Sequence, residues 1–132
     1  MGIVKFLLDT HVLLWWWAEP EKLSARVLAL LRDRANEILV SSASAWEIAT
    51  KYRIGKLPSA GPILVEWEER MAVDLFRELP MSAAHALRAG SLSGERRDPF
   101  DRMLAAQAII EGLPIASNDA LLSALGAEVF WK

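Results

Sequence analysis

The stretch FLLDTHVLLWWW, residues 6–17, holds a single carboxylate, that of Asp9, within a long apolar run. The mostly apolar residues before it, 3–8, are typical of a short buried strand in a parallel sheet covered on both faces. An unpaired buried charge costs several kcal/mol. Asp9 therefore needs partners from elsewhere in the chain, and the fold decides which ones it meets.

Patterns typical of strands and helices alternate along the whole chain. Further strands are predicted over 37–41, 74–79, 113–117 and 128–131, with the less apolar 74–79 at a sheet edge. Helices are predicted over 11–18, 24–35, 42–54, 62–72, 82–89, 99–111 and 120–125. This alternation predicts an α/β fold, a three-layer α/β/α sandwich around a mostly parallel sheet of four to five strands. No repeat or linker interrupts residues 1–132, so we predict a single domain.

Composition excludes several kinds of protein. Hydrophobic residues make up 53% and charged residues 24%, which suits a folded domain with a core. The net charge of −2 gives no general attraction for nucleic acid. The chain has no cysteine, which excludes disulfides and thiolate metal sites, and its two histidines make a zinc site improbable.

The apolar N-terminal run is too short and too interrupted for a membrane span. Lys5, Asp9 and His11 break it well before the roughly 20 apolar residues that a span needs. A signal peptide would have a basic region followed by an unbroken apolar core, which is missing here. We therefore expect a cytoplasmic protein with no membrane association.

Four acids fall where this architecture binds ligands, beyond the carboxyl ends of the strands. Asp9 ends the first strand, Glu47 lies in the first turns of the helix after the second, and Asp119 directly follows the fourth. Asp101 lies in the first turn of the helix that leads into the fourth strand. If the first and fourth strands are neighbours, all four carboxylates can point into one crevice.

Each acid except Asp9 also has a purely structural explanation. Asp98 and Asp119 can cap the helices that follow them, and Asp101 can complement a helix dipole. Glu47 can close a capping box begun by Ser44. Taken together, the acids are better explained by a divalent cation, because clustered carboxylates otherwise repel one another. Ligation by oxygen alone favours Mg²⁺ or Mn²⁺, which can activate water for attack on a phosphoryl group.

The acids stand in motifs that resemble the PIN-domain nucleases, and most closely the VapC-type toxins of bacterial toxin–antitoxin pairs. The resemblance spans nearly the whole chain in the right order, and its most specific part is the block 98–108. The motifs are Asp9-Thr10-His11, the segment 41–48 with Lys51 and Gly55-Lys56, the segment 97–102 leading into 104–108, and Ser117-Asn118-Asp119.

The resemblance implies a Mg²⁺-dependent endoribonuclease whose catalytic acids are Asp9, Glu47, Asp101 and Asp119. Asp9 and Asp101 would be direct metal ligands, and Glu47 and Asp119 would complete the site directly or through water. Either Asp98 or Asp101 could be the inward-facing acid. The resemblance favours Asp101, which aligns with the family's acid at the start of this helix, and leaves Asp98 as a helix cap that could also contact substrate or metal waters. The resemblance also implies an RNA substrate, a small antitoxin that occupies a groove near the site, and a homodimer.

Several flanking residues could assist such a site. Thr10 and Asn118 could bond metal waters or substrate, or they could merely cap helices. Arg102 could contact substrate, and other local cations could do so too, unless they belong to a solvated surface: Arg96, Arg97, Lys51, Arg53 and Lys56.

The aromatic residues and histidines are expected to play other parts. The rings of residues 15–17 cover all sides of a short helix, so not all three can face the core, and we expect one or two at an interface with the antitoxin or a second protomer. Base stacking by these rings is a weaker alternative. His11 is expected to be a packed or partly exposed helix residue, and His85 to lie on the surface.

Two other functions compete with the nuclease. A PIN-like module could bind RNA or protein without cleaving RNA, but it would have no need for four mutually repelling carboxylates. A phosphotransferase of the haloacid-dehalogenase kind would start from a strand-end aspartate such as Asp9. It would need a second aspartate where this chain has His11, so we disfavour it.

Overall fold

A computed structural model of the protein describes residues 2–94 and 98–132. The elements follow one another as β1 (Lys5–Leu8), α1 (Thr10–Ala18), α2 (Ala25–Arg32), β2 (Glu37–Ser41), α3 (Ser42–Arg53), α4 (Gly61–Val65), α5 (Trp67–Val73), β3 (Arg77–Leu79), α6 (Ala83–Ser91), α7 (Pro99–Glu111), β4 (Ile115–Ala116), α8 (Ala120–Ala124) and β5 (Val129–Phe130). Short 3-10 helices at Pro20–Lys22 and Pro58–Ala60 complete them. The predicted alternation of strands and helices is confirmed.

The five strands form one sheet in which every pairing is parallel, in the order β3-β2-β1-β4-β5. β1 lies in the middle, where Leu7 is in register with Leu39 on one side and Ile115 on the other. The prediction that the first and fourth strands are neighbours is therefore confirmed, as is the edge position of β3.

Alternate residues of β1 enter two separate cores, one on each face of the sheet. Phe6 and Leu8 pack with residues of α1 and α2, such as Val12 and Val27. Leu7 packs on the other face with residues of α7 and α8, such as Leu104. These side chains are fully or almost fully buried, so β1 is covered on both faces and its apolar run is explained.

Two predicted elements differ from the observed ones for local backbone reasons. The helix predicted over 62–72 is two helices, because the backbone leaves the helical region at Glu66, with φ −98° and ψ 15°. The strand predicted over 74–79 starts only at Arg77, because Leu75 adopts a positive φ of 58° and turns the chain.

The three consecutive tryptophans all pack, partly buried, against the core on the α1 face, so our expectation that not all of them can face the core is wrong. The indole N–H groups of Trp16 and Trp17 both donate to Asp74, at 3.0 and 2.8 Å. Trp15 contacts Trp131 edge to face at 6.0 Å between ring centroids. That a partner also covers part of this helix remains a prediction.

His85 does not lie on the surface as expected, because its side chain is 3% exposed. Its Nδ1 accepts a hydrogen bond from the backbone N–H of Ser82 at 3.0 Å, while the Ser82 hydroxyl accepts from the His85 N–H. The Nε2 atom therefore carries the proton and donates to Glu111 at 2.9 Å. A capping box made with a histidine thus ties the start of α6 to the end of α7.

Candidate active site

Asp9 stands directly beyond β1 and is the residue from which α1 starts, in extended conformation. Its backbone N–H donates to the carbonyl of Ala116 in β4 at 3.1 Å, which fixes it at the junction of the two strands. Its side chain is almost fully buried, at 4% exposure, and accepts a hydrogen bond of 2.7 Å from the Ser117 hydroxyl. The buried carboxylate therefore has one hydrogen-bond donor of its own.

Burial raises the pKa of Asp9 from 3.8 to about 6. The hydrogen bond from Ser117 and the nearby His11 oppose this shift, whereas the negative charges of Asp101 and Glu47 add to it. The fold therefore brings carboxylates from the end of β1, from α3 and from the start of α7 close enough to affect one another.

Glu47 does not take the role in a capping box that its spacing from Ser44 allowed. The N-cap of α3 is Ser41, whose hydroxyl accepts from the backbone N–H of Ala43. The hydroxyl of Ser44 instead shares a hydrogen bond of 2.8 Å with that of Thr10, which joins α3 to α1. The buried carboxylate of Glu47 lies 2.5 Å from the ammonium group of Lys51, one turn further along the helix.

The two acids at the start of α7 have different surroundings. Asp98 caps the helix, as predicted, by accepting from the backbone N–H groups of Phe100 at 2.9 Å and Asp101 at 3.3 Å. Asp101 is buried at 8% exposure, whereas Asp98 is only partly buried. These positions agree with the view that Asp98 serves as a cap and Asp101 faces inward.

The segment after β4 joins a fourth acid to the others through Ser117. The hydroxyl that donates to Asp9 also accepts from the backbone N–H of Asp119 at 2.9 Å. Asp119 caps α8 by accepting from Leu121 at 2.9 Å, and it is partly exposed. Asn118 is exposed between them.

The basic side chains that could contact substrate have different partners and different exposure. Arg102 donates to the carbonyls of Ala89, at 3.0 Å, and Leu92, so it fastens the end of α6 to α7. Lys51 pairs with Glu47, which forms an acid cluster with Asp9 and Asp101. Arg53 and Lys56 are exposed beyond this cluster. Arg96 and Arg97 lie outside the described residues.

The donor chemistry at this edge suits a divalent cation, because oxygen atoms of carboxylates are the ligands that Mg²⁺ and Mn²⁺ prefer. The side chains are not yet arranged as a complete ligand set. Within residues 2–94 and 98–132, no three histidine, aspartate or glutamate side chains converge closely enough to hold one ion. Ser117 donates to only one of the two carboxylate oxygens of Asp9, whereas Glu47 is paired with the ammonium group of Lys51, so a cation that binds Glu47 has to compete with Lys51.

Sequence reasoning missed the roles of Ser117 and of the pairing between Glu47 and Lys51. The pairing had a signal, since glutamate four residues before lysine is a favourable spacing on a helix. The role of Ser117 had none, because the hydrogen bond depends on the parallel pairing of β1 with β4.

Fold and site together define an α/β domain with an acidic centre at the carboxyl edge of a parallel sheet. The PIN domain family model matches residues 6–128, and the chain belongs to this family. Among the helices within the described part of the chain, none is long and apolar enough to cross a membrane.

Known proteins resemble the chain over most of its length. It is 32% identical to a protein named ribonuclease VapC22 from Mycobacterium tuberculosis over 117 residues, which cover 88% of each chain. Its fold is similar to that of VapBC2 from Rickettsia felis, solved with a promoter DNA fragment, at a TM-score of 0.68 and 17% identity over 98% of this chain and 100% of the other. FitAcB from Neisseria gonorrhoeae has a TM-score of 0.65 and 23% identity, over 95% and 96% of the two chains.

Proposed function

We propose that the protein is a divalent-metal-dependent endoribonuclease and acts as the toxin of a toxin–antitoxin pair. The observation that carries the proposal is the buried carboxylate of Asp9 at the end of the central strand, with Asp101 and Glu47 beside it. Similarity to a protein named as a ribonuclease over most of both chains supports RNA as the substrate. RNA is present in the cytoplasm, where we expect the protein to act.

Asp9 and Asp101 are the residues proposed to hold Mg²⁺, with Mn²⁺ as a possible substitute, and Glu47 and Asp119 complete the site directly or through water. When bound, the cation supplies a polarised phosphoryl oxygen and an activated water. Burial favours Asp9 and Asp101 over the partly exposed Asp119, because solvent screens buried carboxylates least, and Glu47, although buried as well, is already paired with Lys51.

The chain's own residues keep the acids ready for this chemistry. Ser117 donates to Asp9 and so favours its charged form, the form that binds a cation. Thr10 and Ser44 fix α3, which carries Glu47, against the start of α1. Glu47 or Asp119 is the proposed base that takes a proton from the attacking water.

Substrate contacts are proposed for residues at the margin of the site. Asn118 is exposed beside Asp119, so its amide can reach an RNA phosphate or ribose. Lys56 and Lys51 line a cavity of about 390 Å³ next to Asp98 and can offset the acidic charge of the site. Arg102 is better explained as a link between α6 and α7 than as a substrate contact, because it donates to two backbone carbonyls.

We further propose a small antitoxin as partner and a homodimer as the working form. The solved structures with a similar fold include one described as a toxin–antitoxin complex, from Klebsiella pneumoniae. A cavity of about 170 Å³ lies beside α1 and is lined by His11, Trp15, Leu57 and Ile63. Its aromatic and aliphatic lining suits an apolar side chain of such a partner.

The test is cleavage of structured RNA by the purified protein with Mg²⁺ or Mn²⁺, compared with the same reaction in EDTA. Asp9→Asn should abolish cleavage, because it removes a ligand while keeping the size of the side chain. Asp33→Asn is the matched control, since Asp33 is exposed and caps a turn through an oxygen that asparagine retains. Equal cleavage by wild type and Asp9→Asn, or no metal-dependent cleavage of any RNA by wild type, would contradict the proposal.

A further inference from the structure

Lys51 is the cation of a pair that is largely removed from solvent. Its ammonium group lies 2.5 Å from the carboxylate of Glu47, whose side chain is 4% exposed, and its own side chain is 28% exposed. Exposed ion pairs contribute little, but breaking a buried one leaves an uncompensated charge. Lys51 therefore neutralises a carboxylate that would otherwise stand charged in the protein interior.

The charge of Lys51 interacts with Asp98 and Asp101 as well as with Glu47. Burial by itself lowers the pKa of Lys51, whereas the hydrogen bond and charge of Glu47 raise it. The charges of Asp98 and Asp101 raise this pKa further, so the net shift is above the ordinary value for lysine. The ammonium group thus lies among the same carboxylates that are proposed to meet a divalent cation.

The side chain of Lys51 also borders a cavity on the protein surface. Lys51 lines the cavity of about 390 Å³ that also contacts Ile54, Lys56 and Phe100. A lysine has a flexible stem of four carbons, so its charged end can change partners without movement of the backbone. The ammonium group can therefore lie against Glu47 or turn into this cavity.

We propose that Lys51 is the counter-ion of Glu47 in the metal-free protein and that it leaves Glu47 for the neighbouring cavity when a divalent cation is bound. The inference rests on the proposed function, since it takes Glu47 to be part of the metal site. Two cations beside one carboxylate repel each other, so Lys51 and the metal compete for the same partner. Once turned into the cavity, the ammonium group lies where it can contact an RNA phosphate.

The first test is the affinity for Mg²⁺, measured by calorimetry without RNA. Lys51→Met keeps the length of the side chain and removes its charge, so it should bind Mg²⁺ about fivefold more tightly than wild type. Lys22→Met is the matched control, because Lys22 also pairs with a glutamate, Glu19, but both side chains are about half exposed, so the Mg²⁺ affinity should stay unchanged. Unchanged or weaker Mg²⁺ binding by Lys51→Met would overturn the inference.

The second test uses the wild-type protein, so it does not depend on the folding of a variant. Saturation with Mg²⁺ should move the carbon-13 resonance of the Lys51 Cε toward that of a solvated lysine and leave that of Lys22, which pairs with the exposed Glu19, in place. A Lys51 resonance that does not respond to Mg²⁺ would overturn the inference.

The two proposals can fail separately. Only the inference about Lys51 is wrong if wild type binds Mg²⁺ and Asp9→Asn does not, while the Lys51 resonance is unaffected by Mg²⁺ and Lys51→Met has the Mg²⁺ affinity of wild type. If wild type binds no Mg²⁺, or Asp9→Asn binds it equally well, the proposed metal centre is wrong and the inference about Lys51 is wrong with it.

Discussion

The hydroxyl of Ser117 donates a hydrogen bond of 2.7 Å to the carboxylate of Asp9, joining residues 108 positions apart in the chain. It is the group that counteracts the effect of burial on Asp9 most strongly, because a donor stabilises the charged form of a carboxylate. Ser117 is thus a positioning residue that keeps a buried acid ionised.

We predict that Ser117→Ala shifts the acidic limb of the activity profile to higher pH. A hydrogen bond to a charged group contributes about 1.5–3 kcal/mol, which corresponds to roughly one to two pH units. The measurement is the rate of RNA cleavage at saturating Mg²⁺ between pH 5 and pH 9. Ser123→Ala, at an exposed position in α8, should leave the profile in place. An acidic limb that stays at its wild-type position in Ser117→Ala would refute this role.

Asp9 should make the metal-free protein less stable as the pH rises. Because its pKa is raised from 3.8 to about 6, the folded protein retains a proton between about pH 4 and pH 6 that the unfolded chain has lost. The stability of wild type therefore falls through this window and the loss is constant above it. Asp9→Asn has no such proton, so its stability relative to wild type should rise by about 3 kcal/mol between pH 4 and pH 7.

Urea unfolding in EDTA at several pH values measures this difference between the two proteins. Taking the difference removes the titration of the groups that do not interact with Asp9, which wild type and Asp9→Asn share. A difference that is independent of pH, or that favours wild type as the pH rises, would show that Asp9 is not destabilised by burial.

Replacement of His85 should destabilise the fold even though the residue is far from the acid cluster along the chain. His85→Ala removes a buried ring, leaves the N–H of Ser82 without its acceptor, and breaks the bond to Glu111. Together these changes should cost about 2–4 kcal/mol in the free energy of unfolding. Leu87→Ala, in the same helix but 76% exposed, should change it by less than about 0.5 kcal/mol. Similar costs for both variants would rule out a buried structural role for His85.

Asp74 should stabilise the packing of α1 through the two hydrogen bonds that it accepts from Trp16 and Trp17. Asp74→Ala leaves the indole N–H groups of Trp16 and Trp17 without their acceptor, at a cost of about 1–3 kcal/mol. Asp74→Asn keeps an oxygen acceptor at the same place and should lose much less. The comparison is made by chemical unfolding followed by circular dichroism, and equal losses for both variants would mean that the hydrogen bonds are unimportant.

Much of the fold could be predicted because local signals agreed with the global pattern. The apolar run before Asp9 predicted a central strand, and the structure has β1 in the middle of the sheet. Asp98, Pro99 and Gly112 marked both ends of α7, where Asp98 caps the helix and Gly112 adopts a positive φ of 67°.

The errors arose where tertiary contacts or backbone conformation overrode a sequence pattern. Nothing in the pattern of residues 62–72 signals the break at Glu66, and nothing marks Leu75 for a positive φ, which a leucine rarely adopts. His85 looked exposed because its neighbours in α6 are mostly polar or small, whereas the contact with Glu111 of α7 buries it.

In the candidate site, too, some features follow from the sequence pattern and others depend on tertiary contacts. Asp9 and Asp101 could be selected because the ends of strands and the starts of helices converge in any sheet of this kind. The partner of Glu47 could not be settled, because Ser44 and Lys51 both stand at suitable spacings. The choice depends on Thr10, which takes the hydroxyl of Ser44 for itself.

The place of β1 between β2 and β4 also sets when the acidic centre can form during synthesis. The strand that completes the surroundings of Asp9, Ile115–Ala116, is made more than a hundred residues after it, with Ser117 next to that strand. Until then Asp9 has neither the backbone hydrogen bond to Ala116 nor the side-chain hydrogen bond from Ser117. A nuclease built in this order acquires its activity only after β4 has been made, so translation itself delays the first cut.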